Sequence, residues 1–356
     1  MKVENNYFCK QKNHIYHPMK KISILFVAII FSTIYSTGFS QTNSKSYEIA
    51  TWQGFRAAAI SYTFDDNCPN QLPVAIPLFN EFGFRTTMFV PSDWIKDWSA
   101  LQTAADQGHE IASHTVTHTN LGTLTAAQQL IEFKNSQESI NAHIKGHSCV
   151  TIAYPYCVPG NDSLCASFYI AARHCQGYIE PKTPADFMKI SSLTTGSASS
   201  IQTVGDFNSR VQKADSLKGW CVFLIHGIDN DGGYSPTQSA VLRAHLTYVK
   251  QQTNSYWVAP FGDVVRYIKE RNAVLIHELS NKPTAITLQV TDTLDNTVYN
   301  YPLTIKRALP KHWTSAAVTQ NGKKVEAKVS KKGALKYITF DVVADGGEVI
   351  LKAVKR

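Results

Sequence analysis

The chain has 356 residues, 44% of them apolar, with a formal charge of +8 and a pI near 9.0. That is long for one average domain and apolar enough for a sizeable core, so two domains are expected. The basic balance is uneven: residues 275–356 carry 13 Lys/Arg against 7 Asp/Glu, and no stretch interleaves Arg with aromatics. This argues against a nucleic-acid partner and for lysines spread over a solvated face.

In chain order, Lys20 and Lys21 precede an apolar run, Ile22–Phe31, and small residues follow around Gly38 and Ser40. A charged start, a short apolar middle and a small-residue exit describe a secretory signal peptide over residues 1–40, with Met19 as its true start. A retained anchor is the competing reading, but the run is shorter than the ~20 apolar residues a spanning helix needs. No later stretch is long and apolar enough to span, so no membrane contact is expected beyond this leader, and a secreted or periplasmic location is. Six cysteines follow residue 40: Cys68, Cys149, Cys157, Cys165, Cys175 and Cys221. An even count in an exported chain permits disulfides. Cys157 and Cys165 flank the turn residues Pro159–Asp162, which makes them the expected pair.

Residues 51–272 alternate strand-like and helix-like segments. Ala57–Phe64, Thr86–Val90, Glu110–Ser113, Val150–Ala153, Lys189–Leu193, Val222–Ile225 and Trp257–Ala259 read as strands. Helices fit between them: one from Pro73 to Gly83, a short one ending near Gly108, and a long one capped by Thr125 with Gln128 three residues on. Another opens at Pro236, and a last one runs from Phe261 to Arg271. Repeated strand–helix units imply an α/β fold with a parallel sheet, open or closed into a barrel. Beyond Asn272 the apolar period becomes two, in Ala285–Val290, Val298–Ile305, Lys324–Val329, Leu335–Phe340 and Glu348–Leu351, with Asn321-Gly322 and Gly346-Gly347 as hairpin turns. A linker near Ser280–Pro283 and a small all-β sandwich are expected there.

Reactive side chains collect at strand ends: Asp65 and Asp66 after the first, His114 after the third, and Tyr156 and His226 after two later ones. That is where barrels and open α/β sheets build sites. Two adjacent carboxylates repel unless one meets a cation, in which case one serves as ligand and the other as base. His114 and His118, four residues apart, add two imidazoles, giving three ligands with open positions. No Glu follows His114, so the His-Glu-x-x-His protease arrangement is absent, while a two-His, one-carboxylate iron oxygenase stays open. His226, directly after a buried strand, is either a satisfied core histidine or a general acid.

Together these residues resemble the polysaccharide deacetylase family, the NodB-homology domain. Thr63-Phe64-Asp65-Asp66 is similar to its first motif, Ser113–His118 to its second, Pro155-Tyr156 to its third and Ile225-His226 to its last, in order over residues 57–270. The resemblance implies a distorted (β/α) barrel over residues 41–274, followed by the sandwich at 281–356. It implies Asp65 as base, Asp66, His114 and His118 as metal ligands, and Tyr156 as a backbone oxyanion donor. His226 would be the acid, and Leu224 would line the acetyl pocket. The implied metal is Zn²⁺, with Co²⁺ or Ni²⁺ as substitutes, and the implied partner is an acetylated glycan. Three departures stand out. Asn67 replaces a Gly; Ala153 stands where an Arg orients the base, a role open to Arg173; and the Asp–Trp segment supporting the acid has only Asp206 as a candidate. The competing function is a carbohydrate-binding protein that keeps the metal site without catalysis.

Overall fold

The computed structural model describes residues 46–354; the leader expected over residues 1–40 lies outside the described residues. After a short strand β1 (Tyr47–Ile49) comes β2 (Ala58–Asp65), all eight residues of which are buried. An apolar run covered on both faces is what a central parallel strand requires. Seven more strands follow: β3 (Thr87–Val90), β4 (Glu110–Ser113), β5 (Thr151–Ala153), β6 (Ala171–Arg173), β7 (Leu193–Thr194), β8 (Trp220–Ile225) and β9 (Tyr256–Val258). The helices are α1 (Ile76–Glu81), α2 (Ser99–Asp106), α3 (Ala126–His143), α4 (Asp162–Cys165), α5 (Val204–Leu217), α6 (Ser239–Gln251) and α7 (Phe261–Ala273). The capping box of Thr125 and Gln128 opens α3 as expected.

The sheet order is β6-β5-β4-β3-β2-β8-β7, with every pair parallel and β9 beside the start of β2. One parallel bridge, Arg173 to Ile190, brings the β6 edge to the segment entering β7. The sheet is thus a distorted, nearly closed (β/α) barrel, and the carboxyl ends of its strands gather at one mouth. Two expectations shift here. Lys189 ends a short helical turn, Phe187–Lys189, leaving only Leu193–Thr194 as strand. The helix expected at Pro236 starts at Ser239, because Thr237 is bridged to Ile228.

The chain then forms β10 (Leu275–Lys282), β11 (Ala285–Thr291), β12 (Leu303–Ala308), β13 (Ala316–Gln320), β14 (Lys323–Val325), β15 (Ala327–Lys332), β16 (Leu335–Val342) and β17 (Val349–Ala353). They make two antiparallel sheets, β1-β12-β16-β15 and β10-β11-β17-β13-β14. Alternate residues, such as Ile286, Leu288 and Val290, face inward and are buried. Each such side chain contributes about 1.5–3 kcal/mol of transfer free energy. The linker expected at Ser280–Pro283 is largely strand: β10 runs through Lys282 in register with β11. Val298–Tyr301 stays outside the strand that begins at Leu303. Asn321 and Gly322, at φ 48° and 74°, form the expected tight turn between β13 and β14. Gly346-Gly347 closes no hairpin, since it joins β16 of one sheet to β17 of the other. Barrel and sandwich share one apolar cluster, in which Trp220, Trp257 and Phe261 of the barrel join Leu288, Ile305 and Ile338 of the sandwich.

Candidate metal centre

Among the described residues, non-glycine residues with positive φ gather at the barrel mouth, including Asp66 (72°), Asn67 (52°), Thr115 (67°), His118 (61°), Tyr156 (55°) and Cys157 (57°). Such conformations cost about 1–3 kcal/mol each and persist where surrounding structure enforces them, which is typical of functional sites. The Asn67 departure has its reason here. The position needs left-handed backbone, which Gly adopts freely and Asn tolerates best among the rest.

Asp66 turns off the end of β2 with its N–H on the Phe89 carbonyl at 3.2 Å. Its Oδ1 lies 3.5 Å from His114 Nε2 and 3.2 Å from His118 Nε2. The donor atoms of these three residues all fall within 4.8 Å of one another. His114 Nδ1 is 2.8 Å from the Ala153 carbonyl oxygen. A carbonyl only accepts, so Nδ1 carries the proton and Nε2 presents its lone pair to the centre, the tautomer a metal ligand requires. Burial pushes the His114 pKa down to about 4, although Asp65 and Asp66 pull it up, so the ring is neutral near pH 7. Burial works to raise the Asp66 carboxyl, but its contacts with His118, His114 and His226 outweigh it and hold it low. The donor set therefore fits a divalent ion: one carboxylate and two imidazoles whose donor atoms converge on a common centre.

The two histidines are not on a helix. His114 follows β4 and His118 closes a loop whose Thr115 and His118 are both left-handed, which is how residues four apart converge. The His118 ring packs between Trp94 and Tyr156, at centroid distances of 5.0 and 4.8 Å.

Asp65 is 2% exposed and pairs through Oδ2 with the Arg173 guanidinium, while its Oδ1 has no partner among the described residues. Arg173, at the end of β6, also donates to Ser192 Oγ at 3.2 Å and lies over the Phe89 ring. Burial lowers the Arg173 pKa and Asp65 pulls it back up. The charge missing at Ala153, on β5, thus arrives from the neighbouring strand. His226 Nε2 is 3.9 Å from both Asp65 Oδ2 and Asp66 Oδ2, and its Nδ1 is buried without a partner among the described residues. Asp206 does not support it: that carboxylate caps α5, bonded to Thr203.

A cavity of about 510 Å³ joins Asp65, Asp66, His114, His118, Tyr156, Leu224 and His226, so all seven sequence candidates line one space. Tyr154, Cys157, Thr194 and Tyr234 line it too and had not been singled out for it. Only Thr194 and Tyr154 had a signal, as residues at strand ends. The expected Cys157–Cys165 pair is wrong. Cys157 is bonded to Cys175, with Cα atoms 5.7 Å apart, whereas Cys165 is turned into the core from α4. Cys175 follows β6, which lies in register beside β5, so the sheet brings the two together.

Residues 53–167 match the sequence profile of the polysaccharide deacetylase family. The matched segment carries Asp65, Asp66, His114, His118 and Tyr156. A gellan lyase from a Bacillus species is 31% identical over 323 residues, which cover 85% of this chain and 13% of that protein. This chain thus spans only a small part of that relative's length. Among solved structures, a Mycobacterium smegmatis protein assigned as a polysaccharide deacetylase is similar with a TM-score of 0.49 and 16% identity, covering 65% of this chain and 96% of that one. A family 4 carbohydrate esterase pseudoenzyme from Bacillus anthracis gives 0.43 and 16%, covering 58% and 65%.

Proposed function

We propose that the protein is a metal-dependent hydrolase that removes acetyl groups, as N-acetyl amides or O-acetyl esters, from a carbohydrate polymer or oligosaccharide. The observation that carries this reading is the convergence of Asp66, His114 and His118 with the Arg173-held Asp65 and with His226 around one cavity. The family matched by the barrel segment supports hydrolysis of acetylated glycans, and the gellan lyase relative supports a polysaccharide context.

Asp66, His114 and His118 would hold the ion, Zn²⁺ by preference and Co²⁺ or Ni²⁺ as substitutes. The ion supplies Lewis acidity for an acetyl carbonyl and for a water nucleophile. Asp65, oriented by Arg173, takes a proton from the attacking water. The water oxygen bonds to the acetyl carbon, and the Tyr156 N–H stabilises the oxyanion. The C–N or C–O bond then breaks as His226 delivers a proton to the leaving amine or alkoxide, releasing acetate. Leu224 provides apolar contact for the acetyl methyl. We also propose export to an oxidising compartment, which the Cys157–Cys175 bond supports.

One observation favours the second reading, a non-catalytic glycan-binding protein: among the described residues, His226 Nδ1 has no group to fix its tautomer. The deciding experiment measures acetate released from acetylated xylan, chitooligosaccharides and peptidoglycan fragments by zinc-loaded protein. Release from any of them supports the hydrolase. Binding without release from all of them supports the second reading.

A further inference from the structure

The loop from His114 to His118 is held by a residue that contributes nothing to the cavity lining. Glu132 sits within α3, 6% exposed. Its Oε2 accepts the Val116 N–H at 2.8 Å and the Thr117 N–H at 3.0 Å, and its Oε1 accepts from Thr117 Oγ1 at 2.7 Å. One turn on, Ser136 of the same helix face bonds Ser113 Oγ at 2.7 Å, and Ser113 Oγ accepts the Thr115 N–H at 3.1 Å. On the other side, the Ser92 and Asp93 N–H groups donate to the Thr115 and Val116 carbonyls, each at 3.1 Å.

Val116 and Thr117 are the two residues between left-handed Thr115 and left-handed His118. Their N–H groups point the same way because of that backbone, and a buried carboxylate receives both. Charge-assisted bonds of this kind are stronger than neutral ones. A relaxed loop would abandon the left-handed pair and carry the His118 ring away from Asp66 and His114.

Resting on the metal-centre reading above, we infer that Glu132 is a positioning residue for the metal. It sets the His114–His118 loop from outside the site, so that the centre is shaped before any ion arrives. The sequence hides this role, since Glu132 lies 14 residues past His118 on what reads as an ordinary amphipathic helix.

The test is zinc affinity of chelator-stripped protein, by calorimetry or dye competition, for wild type, Glu132→Gln, Glu132→Ala and a control, Glu138→Gln, on the exposed face of the same helix. Melting of the stripped proteins and the visible spectrum of Co²⁺-loaded samples are recorded alongside. Glu132→Gln keeps the shape and removes the charge, so it guards against a misfolded Glu132→Ala. Expected is a zinc affinity weakened by about 10- to 100-fold in Glu132→Ala, by less in Glu132→Gln, and unchanged in the control, with an altered Co²⁺ spectrum. If wild type binds zinc and both Glu132 variants bind equally well, whatever their melting temperatures, this inference fails alone. If wild type binds no zinc, the metal centre fails and takes this inference with it.

Discussion

Arg173 and Asp65 are 108 positions apart in sequence, yet the guanidinium of one closes on the carboxylate of the other inside the barrel mouth, both almost wholly buried. β6 delivers the cation and β2 the anion, across a sheet in which β5, β4 and β3 lie between them. Removing one member of such a pair strands the other charge. Arg173→Met is therefore expected to destabilise the protein by about 3–5 kcal/mol in urea unfolding. Arg173→Lys keeps the charge but loses the planar fork, and should lower acetate turnover by about 10- to 100-fold while the zinc content stays that of wild type. Wild-type turnover in Arg173→Lys would mean that the base needs no orientation from this strand.

The acid and base separate by substrate. Asp65→Asn loses the proton acceptor and should cut turnover by about 10²–10⁴-fold on every substrate, with zinc retained. His226→Ala should harm amides more than activated aryl esters, because a phenolate leaves without help and an amine does not. Equal losses on both would make His226 a structural residue.

The chemistry of the centre was legible where it is local. Asp65-Asp66 stood at the end of an apolar run, and His114 and His118 stood at a ligand-like spacing after another. Alternating patterns also exposed the parallel barrel and the sandwich. What escaped depends on tertiary neighbours. Arg173 was only an option until β6 was placed beside β5, and Cys175 paired with Cys157 for the same reason. β1, three residues long, carries too little periodicity to reveal that it completes a sandwich sheet with β12. The supposed linker at Ser280–Pro283 looked polar because β10 is exposed over its second half.

The disulfide joins residues 18 positions apart around β6 and bears directly on the left-handed turn at Tyr156. Mass mapping of unreduced protein should find Cys157 linked to Cys175, with Cys68, Cys149, Cys165 and Cys221 as thiols. Cys175→Ser should cost about 2–4 kcal/mol of stability. A Cys157–Cys165 peptide would refute the pairing.

Two buried histidines away from the centre make the fold acid-sensitive. Burial pushes His109 down to about 4, with Arg85 assisting, and His245 down to about 3. The unfolded chain takes up protons at these rings near pH 6.5, whereas the native one does not. Their contribution is therefore fully present above about pH 6.5 and is lost progressively as the pH falls toward about 4 for His109 and about 3 for His245. Urea midpoints of chelator-stripped protein should drop between pH 7 and 5, and His245→Gln should flatten that slope. A flat wild-type profile over the same interval contradicts the assignment.

The most direct measurement is a zinc titration of stripped protein that follows acetate release and bound metal together, with His114→Ala in parallel. Acetate release should be absent without metal, rise in proportion to added zinc and level off at about one ion per chain, while His114→Ala neither binds nor recovers. Acetate release that ignores the chelator, or full metal occupancy in His114→Ala, would contradict a hydrolase built on Asp66, His114 and His118.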